Sequence, residues 1–121
     1  PHPETVATAI RIGNPVNWQS AIAVQEASQG AFYAVSDSEI LSAYQLLARE
    51  EGIFCEPASA AAVAGLFHIQ DQIPEGARIV CVLTGNGLKD PDNAIAVGQQ
   101  QLAQGIAPER DVLARAMGLL G

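Results

Sequence analysis

The sequence is short of positive charge. Six Lys and Arg residues stand against thirteen Asp and Glu, for a formal net charge of −7. The basic residues Arg11, Arg49, Arg78, Lys89, Arg110 and Arg115 are scattered, which excludes the clustered cationic face of a nucleic-acid binder. Long apolar runs are missing too. No stretch approaches the roughly 20 residues that cross a bilayer. The opening Pro1-His2-Pro3-Glu4 has neither the basic nor the apolar region of a secretory signal. A soluble, cytoplasmic protein with no membrane partner is the expectation.

Cysteine and histidine are equally sparse. Cys55 and Cys81 lie in the apolar stretches Ile53-Phe54-Cys55 and Ile79–Leu83, where thiols read as small buried hydrophobes rather than a disulfide. His2 and His68 do not stand at zinc-site spacing from them, and no metal site is expected. Lys89 is the only lysine and hence the only Schiff-base candidate in this stretch. Its neighbours Asp90 and Asp92 favour the charged ammonium, the opposite of what imine formation needs. It reads as a solvated loop lysine. A phosphate-binding Gly-rich loop with Lys, a G-x-S-x-G elbow and a Ser/His/Asp set are all absent, and no catalytic residue is expected here.

What is present is enough for one modest core: 121 residues, 49% of them hydrophobic, with much alanine and only six aromatics. Such a composition suits close packing of helices on a sheet. Ala7–Ile12 is expected as a short strand, and Asn14-Pro15 as the cap and first residue of a helix over Val16–Ala27. Gln29-Gly30 ends it, and a short strand is expected over Ala31–Val35. Ser36-x-x-Glu39 is a capping box before Ile40, Leu41, Tyr44, Leu47 and Ala48 at helical spacing, with Gly52 as the stop. After Ile53-Phe54-Cys55, a brief strand or extended link, Glu56-Pro57 opens a third helix reaching about Gln70. Pro74-Glu75-Gly76 is a turn. The β-branched run Arg78–Thr84 fits a parallel strand covered on both faces. Two further helices are expected over Asn93–Gln104 and from Pro108 to before Gly118. Helices alternating with short apolar segments predict a layered α/β fold, helices packed on short, mostly parallel strands.

In open α/β sheets ligands bind beyond the carboxyl ends of strands. Arg78–Thr84 would deliver the Thr84 hydroxyl there, and Gly85-Asn86-Gly87 would let a ligand approach the backbone. Read blandly, Thr84 ends a strand and the glycines make a turn. Glu56 is the second candidate, although a carboxylate at a helix start is commonly a cap favoured by the helix dipole. Ser59, three residues later, reads as a helix-turn hydroxyl and nothing more.

Three stretches taken together shift those readings. Thr8-Ala9-Ile10-Arg11-Ile12-Gly13-Asn14-Pro15, Gly52-Ile53-Phe54-Cys55-Glu56-Pro57-Ala58-Ser59-Ala60-Ala61 and Cys81-Val82-Leu83-Thr84-Gly85-Asn86-Gly87-Leu88-Lys89-Asp90-Pro91-Asp92 resemble the threonine synthase family in the family's order. The linking helix Glu39–Glu51 is similar too. The resemblance implies the two-domain tryptophan-synthase-like fold with pyridoxal 5'-phosphate between the domains. It also implies conversion of O-phosphohomoserine and water to threonine and phosphate.

By the same resemblance, residues 1–121 form a C-terminal portion without a complete second domain. The cofactor's lysine and phosphate loop would lie upstream. Thr84 matches the threonine that bonds the pyridine nitrogen, and Glu56 matches an acidic residue near that edge of the ring. Ala9, Ile10, Arg11, Gly85 and Asn86 would line the site. The family commonly has histidine where Asn86 stands, and asparagine cannot titrate near neutral pH. Alone, the portion is expected to be inactive and without bound cofactor. Its partners would be the missing N-terminal part, a small-molecule substrate through the parent enzyme, and a second copy in a homodimer. A serine or threonine dehydratase, and a non-catalytic interaction module, are the competing readings.

Overall fold

A computed structural model describes residues 2–99 and 109–119. Five α-helices are present among them: α1 (Trp18–Ser28), α2 (Asp37–Glu50), α3 (Pro57–His68), α4 (Pro91–Gln99) and α5 (Arg110–Ala116). The chain divides into two compact units, Pro1–Pro91 and Asp92–Gly121. The second contains nearly all of α4 and the whole of α5. The C-terminal half of the helix expected over Asn93–Gln104, and Pro108, fall mostly outside the described residues.

The core of the first unit is a pair of packed helices, α2 and α3. α2 begins where its capping box dictates. Ser36 Oγ accepts from the Glu39 N–H at 3.3 Å, and the Glu39 carboxylate accepts from the Ser36 N–H at 2.6 Å, which satisfies two otherwise unpaired donors. Ile40, Ala43, Tyr44 and Leu47 then recur at 3.6-residue spacing and are all buried. Gly52, at φ +65°, turns the chain through the left-handed region, and the Ile53 N–H donates back to the Leu47 carbonyl at 2.9 Å.

α3 starts at Pro57, whose fixed φ and missing N–H suit a first helical position. It buries Pro57, Ser59, Ala60, Val63 and Ala64. Its small residues allow close approach to α2, where the sequence had suggested a sheet. At its far end the His68 ring meets Glu39 at 3.2 Å, tying the end of α3 to the start of α2.

The strand expectations are corrected. Among the described residues no strand is assigned, and the only β pairing is an isolated antiparallel bridge between Cys55 and Asn86. Ala7–Ile12 is instead a 3₁₀ turn over Thr8–Ile10, packed on α3 and flanked by two tight turns. In these the Thr8 N–H donates to Val6 O and the Ile12 N–H to Ile10 O, the i to i+2 pattern of γ-turns. Ala31–Val35 has no regular structure. Arg78–Thr84 has the composition of a buried strand, yet Val80 is 87% and Val82 68% exposed. A helix closes its hydrogen bonds locally, whereas a parallel strand exists only beside neighbours brought in by long crossovers.

Helix α1 starts later than its Asn14-Pro15 signal suggested. The Trp18 N–H first closes a turn on Pro15 O at 3.4 Å. Asn17, not Asn14, occupies the cap position, without a side-chain cap bond.

Candidate functional site

The sequence candidates Glu56, Thr84, Gly85 and Asn86 meet where the start of α3 faces the loop 84–87. The Glu56 N–H donates to the Gly85 carbonyl at 3.0 Å, and the Gly87 N–H donates to the Phe54 carbonyl at 3.1 Å. These two bonds frame the Cys55–Asn86 bridge and hold the loop against the segment leading into α3.

Both glycines are needed for that approach. A Cβ on Gly85 would lie 1.9 Å from Glu56 Oε1, and one on Gly87 would lie 2.4 Å from the Phe54 ring. Glu56 occupies the cap position of α3 without making a side-chain cap bond. Its side chain lies over the Cα of Gly85, and the residue is only 7% exposed. The capping role suggested by its position is therefore not the one its side chain performs.

Ser59 is the residue that sequence reasoning missed. It is 2% exposed, and its Oγ accepts from the Gly85 N–H at 2.7 Å. The same Oγ lies 3.4 Å from Thr84 Oγ1 and 3.4 Å from the Gly85 carbonyl. A signal did exist: positions three apart share a helix face, and whatever brings Glu56 to an edge brings Ser59 with it. Thr84 itself is exposed, with its hydroxyl backed by Ser59.

Asn86 uses its side chain locally. Its Oδ1 accepts from the Leu88 N–H at 2.9 Å and caps the 3₁₀ turn Gly87–Lys89, which carries an exposed Lys89. The first-segment candidates follow Thr8, whose side chain reaches the residue after this turn. Thr8 Oγ1 donates to the buried Asp90 at 2.8 Å, tying the Thr8–Ile10 turn to the end of the 84–90 segment. Ala9 and Ile10 are exposed, and the Arg11 guanidinium donates to the Thr5 carbonyl. Burial pushes the Cys55 thiol above its ordinary value, and the adjacent Glu56 carboxylate adds to this. The thiol thus stays protonated and unreactive. Cys81 is free as well, and no metal-binding group of three or more side chains occurs among the described residues.

The cluster thus combines an exposed neutral hydroxyl, a buried hydroxyl behind it, a buried carboxylate and a loop stripped of side chains. It can offer a hydrogen bond to a polar ligand atom at close backbone approach. Residues 1–85 match the family described as pyridoxal-phosphate dependent enzyme.

The chain belongs to that family of pyridoxal-phosphate dependent enzymes.

Membership carries the α/β class with it, while the strand packing expected from the sequence is not seen among the described residues. Relatives within this enzyme family narrow the likeness. The chain is 60% identical to the threonine synthase of a Synechocystis species over 117 residues, 97% of this chain and 31% of that protein. It is 58% identical to the threonine synthase of Mycobacterium bovis over 96 residues, 78% of this chain and 27% of the relative. The threonine synthase of Methanocaldococcus jannaschii is 52% identical over 103 residues, 84% of this chain and 25% of the relative. The chain spans about a third or less of the relatives it matches. No helix among the described residues is long and apolar enough to cross a membrane.

Proposed function

We propose that this chain is the C-terminal portion of a threonine synthase and supplies the pyridine-nitrogen edge of its cofactor site. The observation that carries the activity is the 60% identity to a threonine synthase over 97% of the chain. The parent reaction is conversion of O-phospho-L-homoserine and water to L-threonine and phosphate. When bound, the cofactor supplies the electron sink for proton transfers, phosphate loss at Cγ and water addition at Cβ.

The residues present fit one edge of that group. Thr84 offers an exposed hydroxyl, a neutral donor that, unlike a carboxylate, does not force the ring nitrogen to be protonated. Glu56 flanks the same edge with its carboxylate set over Gly85. Asn86, whose side-chain oxygen already serves Leu88, shapes the loop instead of moving protons. Ala9, Ile10 and Arg11 line the approach through the turn that Thr8 ties to Asp90.

Lys89, exposed in its 3₁₀ turn and followed in sequence by Asp90 and Asp92, does not carry the cofactor. We place that lysine and the substrate-phosphate contacts in the remainder of the polypeptide. The same remainder covers the exposed apolar run at residues 78–83 and pairs it into the sheet. By itself the 121-residue chain is inactive, and the parent works in the cytoplasm, with a homodimer as its assembly.

Assaying the full-length protein for phosphate release from O-phospho-L-homoserine tests the activity. Equal release of phosphate and threonine is expected. Keto-acid formation from serine or threonine without phosphate release would identify a dehydratase instead.

A further inference from the structure

We infer that Ser59 is a positioning residue that orients the Thr84 hydroxyl as a hydrogen-bond donor toward the ring nitrogen. The inference rests on the reading of Thr84 given above. It starts from proton bookkeeping at one buried atom. Ser59 Oγ already accepts from the Gly85 N–H at 2.7 Å, a short bond that fixes the oxygen in place. Its single hydrogen then has two acceptors in reach, Thr84 Oγ1 and the Gly85 carbonyl, each at 3.4 Å. The Gly85 carbonyl is already served by the Glu56 N–H at 3.0 Å. That carbonyl keeps a second lone pair. Among the described residues, however, no donor other than Ser59 reaches the Thr84 hydroxyl oxygen, and the Ser59 hydrogen is assigned to Thr84.

The consequence runs outward. With its oxygen accepting from Ser59, Thr84 directs its own hydrogen away from the protein interior. The order is Gly85 N–H to Ser59, Ser59 to Thr84, and Thr84 to a ligand atom that can accept. Hydrogen bonds in such a chain polarise one another in the same sense. An acceptor at that point is a ring nitrogen without a proton. Because Ser59 is 2% exposed, water does not compete for its Oγ. The reverse order, Thr84 donating inward to Ser59, would suit only a protonated ring nitrogen.

The test uses the full-length enzyme carrying Ser59→Ala, Ser59→Cys or Thr84→Val, loaded with cofactor labelled with nitrogen-15 in the ring. The readouts are the nitrogen chemical shift, cofactor affinity and thermal midpoint. In the unaltered enzyme the shift should be that of an unprotonated, hydrogen-bonded pyridine. Ser59→Ala should move it toward the free-base value and weaken cofactor binding about three- to tenfold, the worth of one hydrogen bond. Ser59→Cys, similar in size but a weak donor, should fall between the two and guards against a folding defect. A protonated nitrogen in the unaltered enzyme would overturn the inference. So would a Ser59→Ala enzyme with a lowered thermal midpoint but unchanged shift and affinity, while Thr84→Val changes both. If Thr84→Val also changes neither, the reading of Thr84 itself falls.

Discussion

The α2–α3 pair and the run from residue 78 to 84 draw on the same apolar residue types, yet they end in opposite states. In the pair, Leu47 is 6% exposed and Ala60 is fully buried. In the run, Val80 is 87% exposed. Helix α1 sides with the run: it buries none of its residues, and Trp18 and Ile22 remain exposed. A helix closes its backbone hydrogen bonds within itself and needs only one partner for its apolar stripe. A buried parallel strand needs paired neighbours and cover on both faces, and no strand is present among the described residues to supply them. The first unit thus sets a packed helical pair beside apolar side chains that this chain leaves exposed.

The largest expected effect falls in the pair. Leu47→Ala should cost about 2–5 kcal/mol in urea denaturation, as buried leucine truncations do. Val80→Ala should change stability by less than about 0.5 kcal/mol in the same chain. Equal losses at the two positions would break the comparison. Gly85→Ala comes next, because its Cβ must displace the Glu56 carboxylate at 1.9 Å. Overpacking of this kind costs about 1–3 kcal/mol. Adding Glu56→Ala should recover most of that loss in a double-mutant cycle.

Ser36→Ala should cost about 1 kcal/mol and speed amide exchange in the first turn of α2. Asn17→Ala, lacking a cap bond to lose, should leave α1 unchanged.

The smallest effect is in acid. Hydrogen bonds from the Ser36 hydroxyl and N–H, then from His68, lower the Glu39 carboxyl from its ordinary 4.5 to about 2. A depressed carboxyl stabilises the folded state above its unfolded value, and that contribution is lost as the pH falls from about 4.5 towards 2. Glu39→Gln should flatten this part of the acid unfolding curve, monitored by circular dichroism. An unchanged curve would remove Glu39 from the link between α2 and α3.

How much could be read in the sequence follows the same division. The capping box at Ser36 and Glu39, the stop at Gly52 and the start of α3 at Pro57 are local signals, each settled within a few residues. The strand at Arg78–Thr84 could not be settled that way, because its partners are not neighbours in sequence. Asn14-Pro15 misled for a related reason: the pair serves a turn as well as a cap, and the turn on Pro15 came first. At the site, Thr84, Gly85 and Glu56 were visible as a loop and a helix start. The bond from the Gly85 N–H to Ser59 spans 26 residues, and only folding makes it.

The proposal that this chain lends an edge to the cofactor site puts the cofactor's lysine elsewhere in the polypeptide. Borohydride reduction of the cofactor-loaded full-length protein, followed by peptide mass spectrometry, tests it most directly. A pyridoxyl group is expected on a lysine outside these 121 residues and none on Lys89. A pyridoxyl label on Lys89 would contradict it.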